Sequence, residues 1–209
     1  MITLYVTRHG KTVMNDQRLF QGTSDSKLNE EGLEVTAQLA KHLQNVKFEK
    51  AYRSPTGRTK QTAEIILENH YTEIEVCDHL IELHFGEFEG KNLDEAIANH
   101  PEIFDDFYNN PEAYKTPIKG VQPITDFHNN VIRCLNEILS KHDKGNILIV
   151  CHGLVVRSIV MHALGRPWKE YWSDGHIPGA SLTKIHVKDG KFDVQSICDT
   201  SYMSMVPTD

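Results

Sequence analysis

The chain is short of cysteine, has no long apolar run and carries no excess of positive charge. Among its 209 residues the four cysteines, Cys77, Cys134, Cys151 and Cys198, are scattered and form no CxxC pair. This argues against a disulfide scaffold and reads as reduced thiols in or near a core, in a reducing cytosol. No segment approaches the roughly 20 apolar residues of a membrane span. The opening MITLYV has no basic n-region, and its apolar run is too short for a signal peptide. A cytoplasmic protein with no membrane partner is therefore expected. The formal net charge of -7 argues against nucleic acid as a partner, which needs a basic face. Twelve histidines are present, yet none falls in an HxH or HExxH pattern, so no metal site is expected.

What is there is ordinary for a folded protein: 39% hydrophobic and 24% charged residues. The length suits one domain over 1–209, with a cap-like insert at about 91–120. Ile2 to Val6 reads as a buried strand. A helix starts at Asn29, a good cap, followed by Glu30 and Glu31 where the helix dipole favours carboxylates. Its apolar face is expected to be Leu33, Ala37, Ala40 and Leu43. A short strand from Phe48 leads to Ser54-Pro55, which predicts a helix with Ser54 as N-cap and Pro55 first, running to about Glu68. Ile74 to Cys77 is a short strand.

The stretch from His84 to Gly120 is broken by Pro101, Pro111 and Pro117 and is rich in acidic and aromatic residues. It predicts two short helices and loops. Pro123 opens a long helix with Ile124, Phe127, Val131, Cys134 and Ile138 buried and Gly145 at its end. NILIVCHG, from Asn146, is a second buried strand, followed by a helix from about Leu154 to Leu164 closed by Gly165. Two strands, Leu182 to Val187 and Phe192 to Ile197, flank a KDG turn. This order predicts an α/β fold, a three-layer α/β/α sandwich with a mostly parallel central sheet and a small helical insert over the site. The terminal hairpin reads as a sheet edge, able to pair with a second copy of the chain or to face water.

Two strands end alike, in His9-Gly10 and in His152-Gly153. Ligands bind at the carboxyl ends of strands in such sheets, and glycine lets backbone approach a ligand closely. Arg8 precedes the first histidine, and Arg58 lies one turn into the helix after Ser54-Pro55. A helix N-terminus attracts anions, and guanidinium matches phosphate oxygens. Together these residues describe a cationic cup for a phosphoryl group. A neutral imidazole can attack phosphorus, and nearby arginines disfavour its protonated form. The proton for the leaving alkoxide must come from a carboxyl in DHLIELHFGEFEGK, with Glu82, Glu87 and Glu89 as candidates. No metal or other cofactor is required, because the cup itself stabilises charge.

Five ordered motifs carry a resemblance that covers nearly the whole chain. RHGKTVMN resembles RHGxTxxN, QGTSDSKLNEEG resembles QGxxDxxLxxxG, SPTGRTKQTA resembles SPxxRxxQTA, LIELHFGEFEG resembles LxExxFGxWEG, and CHG resembles a late HG. These are motifs of the histidine phosphatase superfamily, the phosphoglycerate mutase-like proteins. The resemblance implies that His9 is the phosphorylated nucleophile. It makes Arg8, Arg58 and His152 phosphoryl ligands and Glu82 the proton donor. Asn15, Gln21, Gly22, Thr23 and Gly153 would line the substrate side, while Glu87 and Glu89 would be structural or at the surface.

Three departures stand out: Lys11 for the usual Glu, Phe88 for Trp, and GVQP from Gly120 where GES is common. Cofactor-dependent mutases of this family have an ERxYG motif and an Arg-Arg pair in the inserted region. Here the motif is ELHFG, and Lys91, Lys115 and Lys119 are the insert's basic residues. The chain is more similar to the broad-specificity bacterial phosphatases, which implies a phosphatase of small-molecule phosphomonoesters. The alternatives are a phosphoglycerate mutase, a non-catalytic phospho-ligand-binding member and a metallohydrolase. Phe104, Phe107, Tyr108 and Tyr114 would form either a hydrophobic lid for organic substrates or the packing of a small cap.

Overall fold

The computed structural model describes residues 1–114 and 118–207. Lys115 and Pro117 lie outside the described residues. In chain order the elements are β1 (Ile2–Arg8), α1 (Val13–Asp16), α2 (Glu30–Leu43), β2 (Phe48–Arg53), α3 (Gly57–Ile66), β3 (Ile74–Val76), α4 (Leu93–Asn99), α5 (Pro101–Asn109), α6 (Ile124–Ser140), β4 (Gly145–Cys151), α7 (Gly153–Leu164), β5 (Leu182–Lys188) and β6 (Lys191–Asp199).

The six strands form one sheet in the order β3-β2-β4-β1-β5-β6. β1, β2, β3 and β4 run parallel, while β5 and β6 are antiparallel additions at one edge. Alternation along the buried strands feeds two cores, because successive side chains point to opposite faces. Tyr5, Leu148 and Val150 pack with Val35, Leu39 and Leu43 of α2 and Ala63 and Ile66 of α3. On the other face, Leu4, Val6, Ile147 and Ile149 pack with α6, α7 and the insert. The result is the three-layer sandwich expected from the sequence.

Several local expectations are corrected. The buried face of α2 is Gly32, Val35, Thr36, Leu39 and Leu43, whereas Leu33 is 38% exposed. Leu33 lies one residue from Gly32, about 100° around the helix, and Gly32 must face inward because a Cβ there would meet the Lys11 carbonyl at 2.0 Å. α6 ends at Ser140, and Gly145 instead begins β4 with φ 106°. In the hairpin turn Asp189 and Gly190 both have positive φ, as a two-residue turn between twisted strands requires.

The insert holds the two predicted helices, α4 capped by Asn92 and α5 with Pro101 in its first turn. Three of its four aromatics are packing. Phe104, Phe107 and Tyr114 are buried, and Phe104 lies against Phe20 and Phe88 with ring centroids 5.8 and 5.4 Å away. Only Tyr108, 42% exposed, remains at the surface. Among the described residues no helix is long and apolar enough to cross a membrane.

Candidate active site

β1 and β4 are parallel neighbours in a register that sets Arg8 beside Cys151. Their carboxyl ends therefore deliver His9 and His152 to one place, with ring centroids 5.2 Å apart. His9 is buried, and its Nδ1 lies 2.8 Å from the Gly10 carbonyl oxygen. A carbonyl can only accept, so Nδ1 carries the proton and the neutral ring keeps its lone pair on Nε2. Burial, then Arg58 and Arg8, hold the His9 pKa well below 6.5. Gly10 has a different task from the one its motif suggested. A Cβ there would meet Thr36 Oγ1 at 2.5 Å and the Gly32 carbonyl at 2.7 Å, so it admits α2 rather than a ligand.

His152 is fully buried at the N-cap position of α7. Its Nε2 lies 2.7 Å from Ser54 Oγ, and its Nδ1 has no hydrogen-bond partner. Burial, then Arg58, His9 and Arg8, depress its pKa well below 6.5. Ser54 is thus occupied by His152 and is not the helix cap expected. α3 begins at Gly57, with Thr56 in the N-cap position making no side-chain cap. Its cap comes from across the chain: the Asp25 carboxylate accepts the amides of Gly57 and Arg58.

Arg58 is the second residue of α3, nearer the helix start than predicted, and is 1% exposed. Its Nη1 donates to the Ser24 carbonyl at 2.6 Å and to Asp25 Oδ1 at 3.3 Å, and its Nη2 to the Gly22 carbonyl at 2.8 Å. Its Nε is buried with no partner. Burial lowers its pKa from the ordinary arginine value, opposed by Glu82 and Asp25. The side chain therefore ties down the Gly22–Asp25 loop as well as charging the site. Arg8 is held by a 2.6 Å bond from Nη1 to the Ile177 carbonyl.

Of the three candidate carboxyls only Glu82 borders the cavity beside His9. Its oxygens accept the amides of Leu83 (3.0 Å) and Leu154 (3.2 Å), the latter in the first turn of α7. Burial raises its pKa above 4.5 against the pull of these amides, Arg58 and Arg8. Glu87 is exposed. Glu89 accepts bonds from Thr23 N, Thr23 Oγ1, Ser24 N and Phe85 N, and so is structural.

The cavity has a volume of about 380 Å³. Arg8, His9, Asn15, Gln21, Gly22, Arg58 and Glu82 all line it. Asn15 also accepts the Thr12 amide (3.0 Å) in a capping box for α1. Gln21 Oε1 is buried without a partner. Thr23 is corrected: its amide and hydroxyl are both engaged by Glu89, and it does not line the cavity. Gly153 borders a second hollow, which shares Arg8, Glu82 and His176 with the first.

Ser54, Asp25, Arg18, His176 and Arg157 were missed from the sequence. Arg157 is buried beside the second hollow, donating to the Tyr171 carbonyl at 3.0 Å under the Trp172 ring. Asp25 and Ser54 stand in the quoted QGTSDS and SPTGRTKQTA motifs and so had a visible signal. His176 reaches the site only because Ala180 bonds the Arg8 carbonyl and β5 pairs with β1. Among the described residues no three His, Cys, Asp or Glu side chains are gathered as a metal ion would need.

A neutral imidazole with a defined free nitrogen, a buried and a half-buried guanidinium and a carboxyl of raised pKa can together attack, hold and protonate a phosphoryl ester. The histidine phosphatase superfamily (branch 1) pattern matches residues 4–200. Phosphoserine phosphatase 1 of Hydrogenobacter thermophilus is 28% identical over 189 residues, covering 90% of this chain and 88% of that one. A metal-independent phosphoserine phosphatase of Arabidopsis thaliana is 29% identical over 206 residues, 97% and 84% of the two chains. The solved structure of Bacillus stearothermophilus YhfR superimposes with a TM-score of 0.90 at 33% identity, covering 97% of this chain and 99% of that one. The chain belongs to the histidine phosphatase superfamily, branch 1.

Proposed function

We propose that this protein is a metal-independent phosphatase that hydrolyses small phosphomonoesters through a phosphohistidine on His9, acting in the cytoplasm. The observation that carries the reading is the 2.8 Å contact from His9 Nδ1 to the Gly10 carbonyl, which leaves Nε2 as the nucleophile in a ring that burial keeps neutral.

In the first step His9 Nε2 bonds to phosphorus and the bond to the ester oxygen breaks. Glu82, protonated, gives its proton to that departing oxygen. Arg8, Arg58 and the unpartnered His152 Nδ1 take up charge on the phosphoryl oxygens. In the second step water attacks phosphorus, Glu82 takes the water proton, and the P–N bond breaks to release phosphate and neutral His9. Atoms and charge balance with no further reactant.

Hydrolysis is favoured over mutase chemistry by the insert. Of its described basic residues, neither Lys91 nor Lys119 lines the cavity, whose insert-side walls include Leu93 and Phe85. Among the described residues, no lysine of the insert lines the cavity in position to return a phosphoryl group to bound product. The kinship with a protein named metal-independent phosphoserine phosphatase supports the same reading.

Phosphorus NMR on a set of phosphomonoesters that includes 3-phosphoglycerate, with excess chelator, tests it. Inorganic phosphate is expected from the unaltered protein and not from His9→Ala. Conversion of 3-phosphoglycerate to its 2-isomer without phosphate release would overturn it in favour of a mutase.

A further inference from the structure

The fold brings two of the four scattered cysteines together, outside the His9 cavity. Cys77 directly follows β3, the strand at one edge of the sheet, and its amide donates to the Arg53 carbonyl at 2.9 Å. Cys134 stands on the buried face of α6. Two polar contacts bracket the pair. On one side of Cys77, Lys141 Nζ at the end of α6 donates to Glu75 Oε1 at 2.6 Å. On the other, Arg133 Nη2 donates to His79 Nε2 at 3.1 Å. The segment 75–79 therefore runs along α6 in the opposite direction, with Cys77 held between the two contacts. Cys134 adjoins Arg133 and lies about two turns from Lys141, on the same side of the helix. Its S–H donates to the Cys77 sulfur.

The two thiols differ in access and in acidity. Cys77 is half-buried between the exposed Val76 and Asp78, whereas Cys134 is 3% exposed. A reagent from solution meets Cys77 first. The bond from Cys134 holds the Cys77 pKa below 9.0 against burial and Glu75, with Lys141 assisting. The same bond, then burial, raises the Cys134 thiol. Thiolate is the attacking form of cysteine, so Cys77 is placed to react and Cys134 to resolve. The other two thiols are less apt: burial pushes up both Cys151, which is fully buried, and Cys198.

We propose that Cys77 and Cys134 form a redox site, closed to an intramolecular disulfide by a peroxide and reopened by a dithiol reductant. The Cys77 thiolate attacks one peroxide oxygen and the O–O bond breaks, leaving a sulfenic acid. The departing hydroxide takes up the proton that Cys77 had released. The Cys134 sulfur then attacks the Cys77 sulfur, the S–O bond breaks, and that hydroxide leaves with the Cys134 proton as a second water. Two thiols are oxidised, one peroxide is reduced, and two waters form. The sulfurs, already at hydrogen-bond separation, must close to about 2.05 Å. Side-chain rotation and a small shift of β3, three residues long and paired on one side, allow this. Intracellular disulfides of this kind are transient, which suits cysteines that stand as free thiols here. The inference does not depend on the phosphatase reading.

The test treats the full chain with hydrogen peroxide at neutral pH and then caps the surviving thiols with N-ethylmaleimide in denaturant. Mass spectrometry of a non-reducing digest maps the cysteines. The unaltered protein is expected to lose two of its four thiols, with the Cys77 and Cys134 peptides joined, and to regain both in dithiothreitol. Cys77 is expected to react about tenfold faster than Cys198, the other half-buried thiol. Cys134→Ser, which puts a hydroxyl in the place of the thiol, is expected to form no bridge and to leave Cys77 as a sulfenic acid that dimedone traps. Cys77→Ser is expected to leave Cys134 reduced. The inference is overturned by the absence of a bridge, or by a bridge from Cys77 to another cysteine or to a second chain. Loss of Cys198 as fast as Cys77 would overturn it equally.

Discussion

Asp25 and Arg58 are joined twice: one carboxylate accepts the Arg58 backbone amide at 3.2 Å and its guanidinium at 3.3 Å. A residue from the loop after Gly22 therefore both starts the helix and aims the side chain that the helix carries. Removing it is expected to affect stability and catalysis together. Asp25→Ala should cost about 1–2 kcal/mol for the lost cap, seen as a lower Tm in thermal unfolding. It should also reduce kcat/KM. An unchanged Tm would show that water replaces the cap.

Activity should have an acidic optimum. His9 must be deprotonated to attack, and its pKa is held well below 6.5, so the nucleophile survives into the acid range. Glu82 must be protonated to donate, and its pKa is raised above 4.5, so the donor is lost as pH rises beyond that raised value. A pH profile of kcat/KM should fall on the alkaline side, and Glu82→Gln should abolish that limb along with most of the rate. A profile flat to alkaline pH would exclude Glu82 as the acid.

Stability should move the other way with pH for the two histidines. Each has a folded pKa below its unfolded value, so the unfolded chain binds more protons in acid. The neutral histidines contribute no such penalty above about pH 6.5, the unfolded value, and the folded state loses ground as pH falls below it. Tm should drop between neutral pH and pH 5, and His152→Gln should flatten part of that drop. Glu82, shifted upward, opposes this trend weakly by favouring the folded state in acid.

Lys11, which stands where Glu is usual in this family, is 7% exposed and lies 2.8 Å from Glu31 and 2.9 Å from Asp16. Lys11→Glu would gather three carboxylates there and should destabilise the fold by on the order of 1–3 kcal/mol, seen as a lower Tm. Glu31→Lys in the same chain should restore part of the loss in a double-mutant cycle.

Phe104 and Tyr108 should separate packing from substrate contact in the insert. Phe104, 3% exposed among Phe20, Phe88 and Phe107, should cost about 3–5 kcal/mol as Phe104→Ala. Tyr108→Ala should cost less, about 1–2 kcal/mol, since its half-covered ring packs on Phe107 and Trp172, with centroids 5.2 and 5.0 Å away. Chemical denaturation of the two variants reads the difference.

Much of the site was legible because its chemistry sits in contiguous words. Strand ends marked His9 and His152, the helix start at Ser54-Pro55 marked the arginine after it, and the choice of Glu82 among three carboxyls followed by resemblance. Such signals survive in sequence because a buried strand, a glycine and a catalytic side chain must be neighbours along the chain. The order of strands and helices along the chain was legible for the same reason, since apolar runs and turn residues are local, whereas the order of strands within the sheet was not. Tertiary structure alone decided which partners these residues have. Ser54 could be read as a cap until α3 was seen to take its cap from Asp25, freeing the serine for His152 98 positions away. Gly10 and Gly32 were decided by how closely α2 approaches the end of β1, a distance no local pattern encodes. Arg18 and His176 enter the cavity through a loop clasp and an antiparallel strand pairing, and pairings between distant segments depend on shape complementarity rather than on any short run of residues.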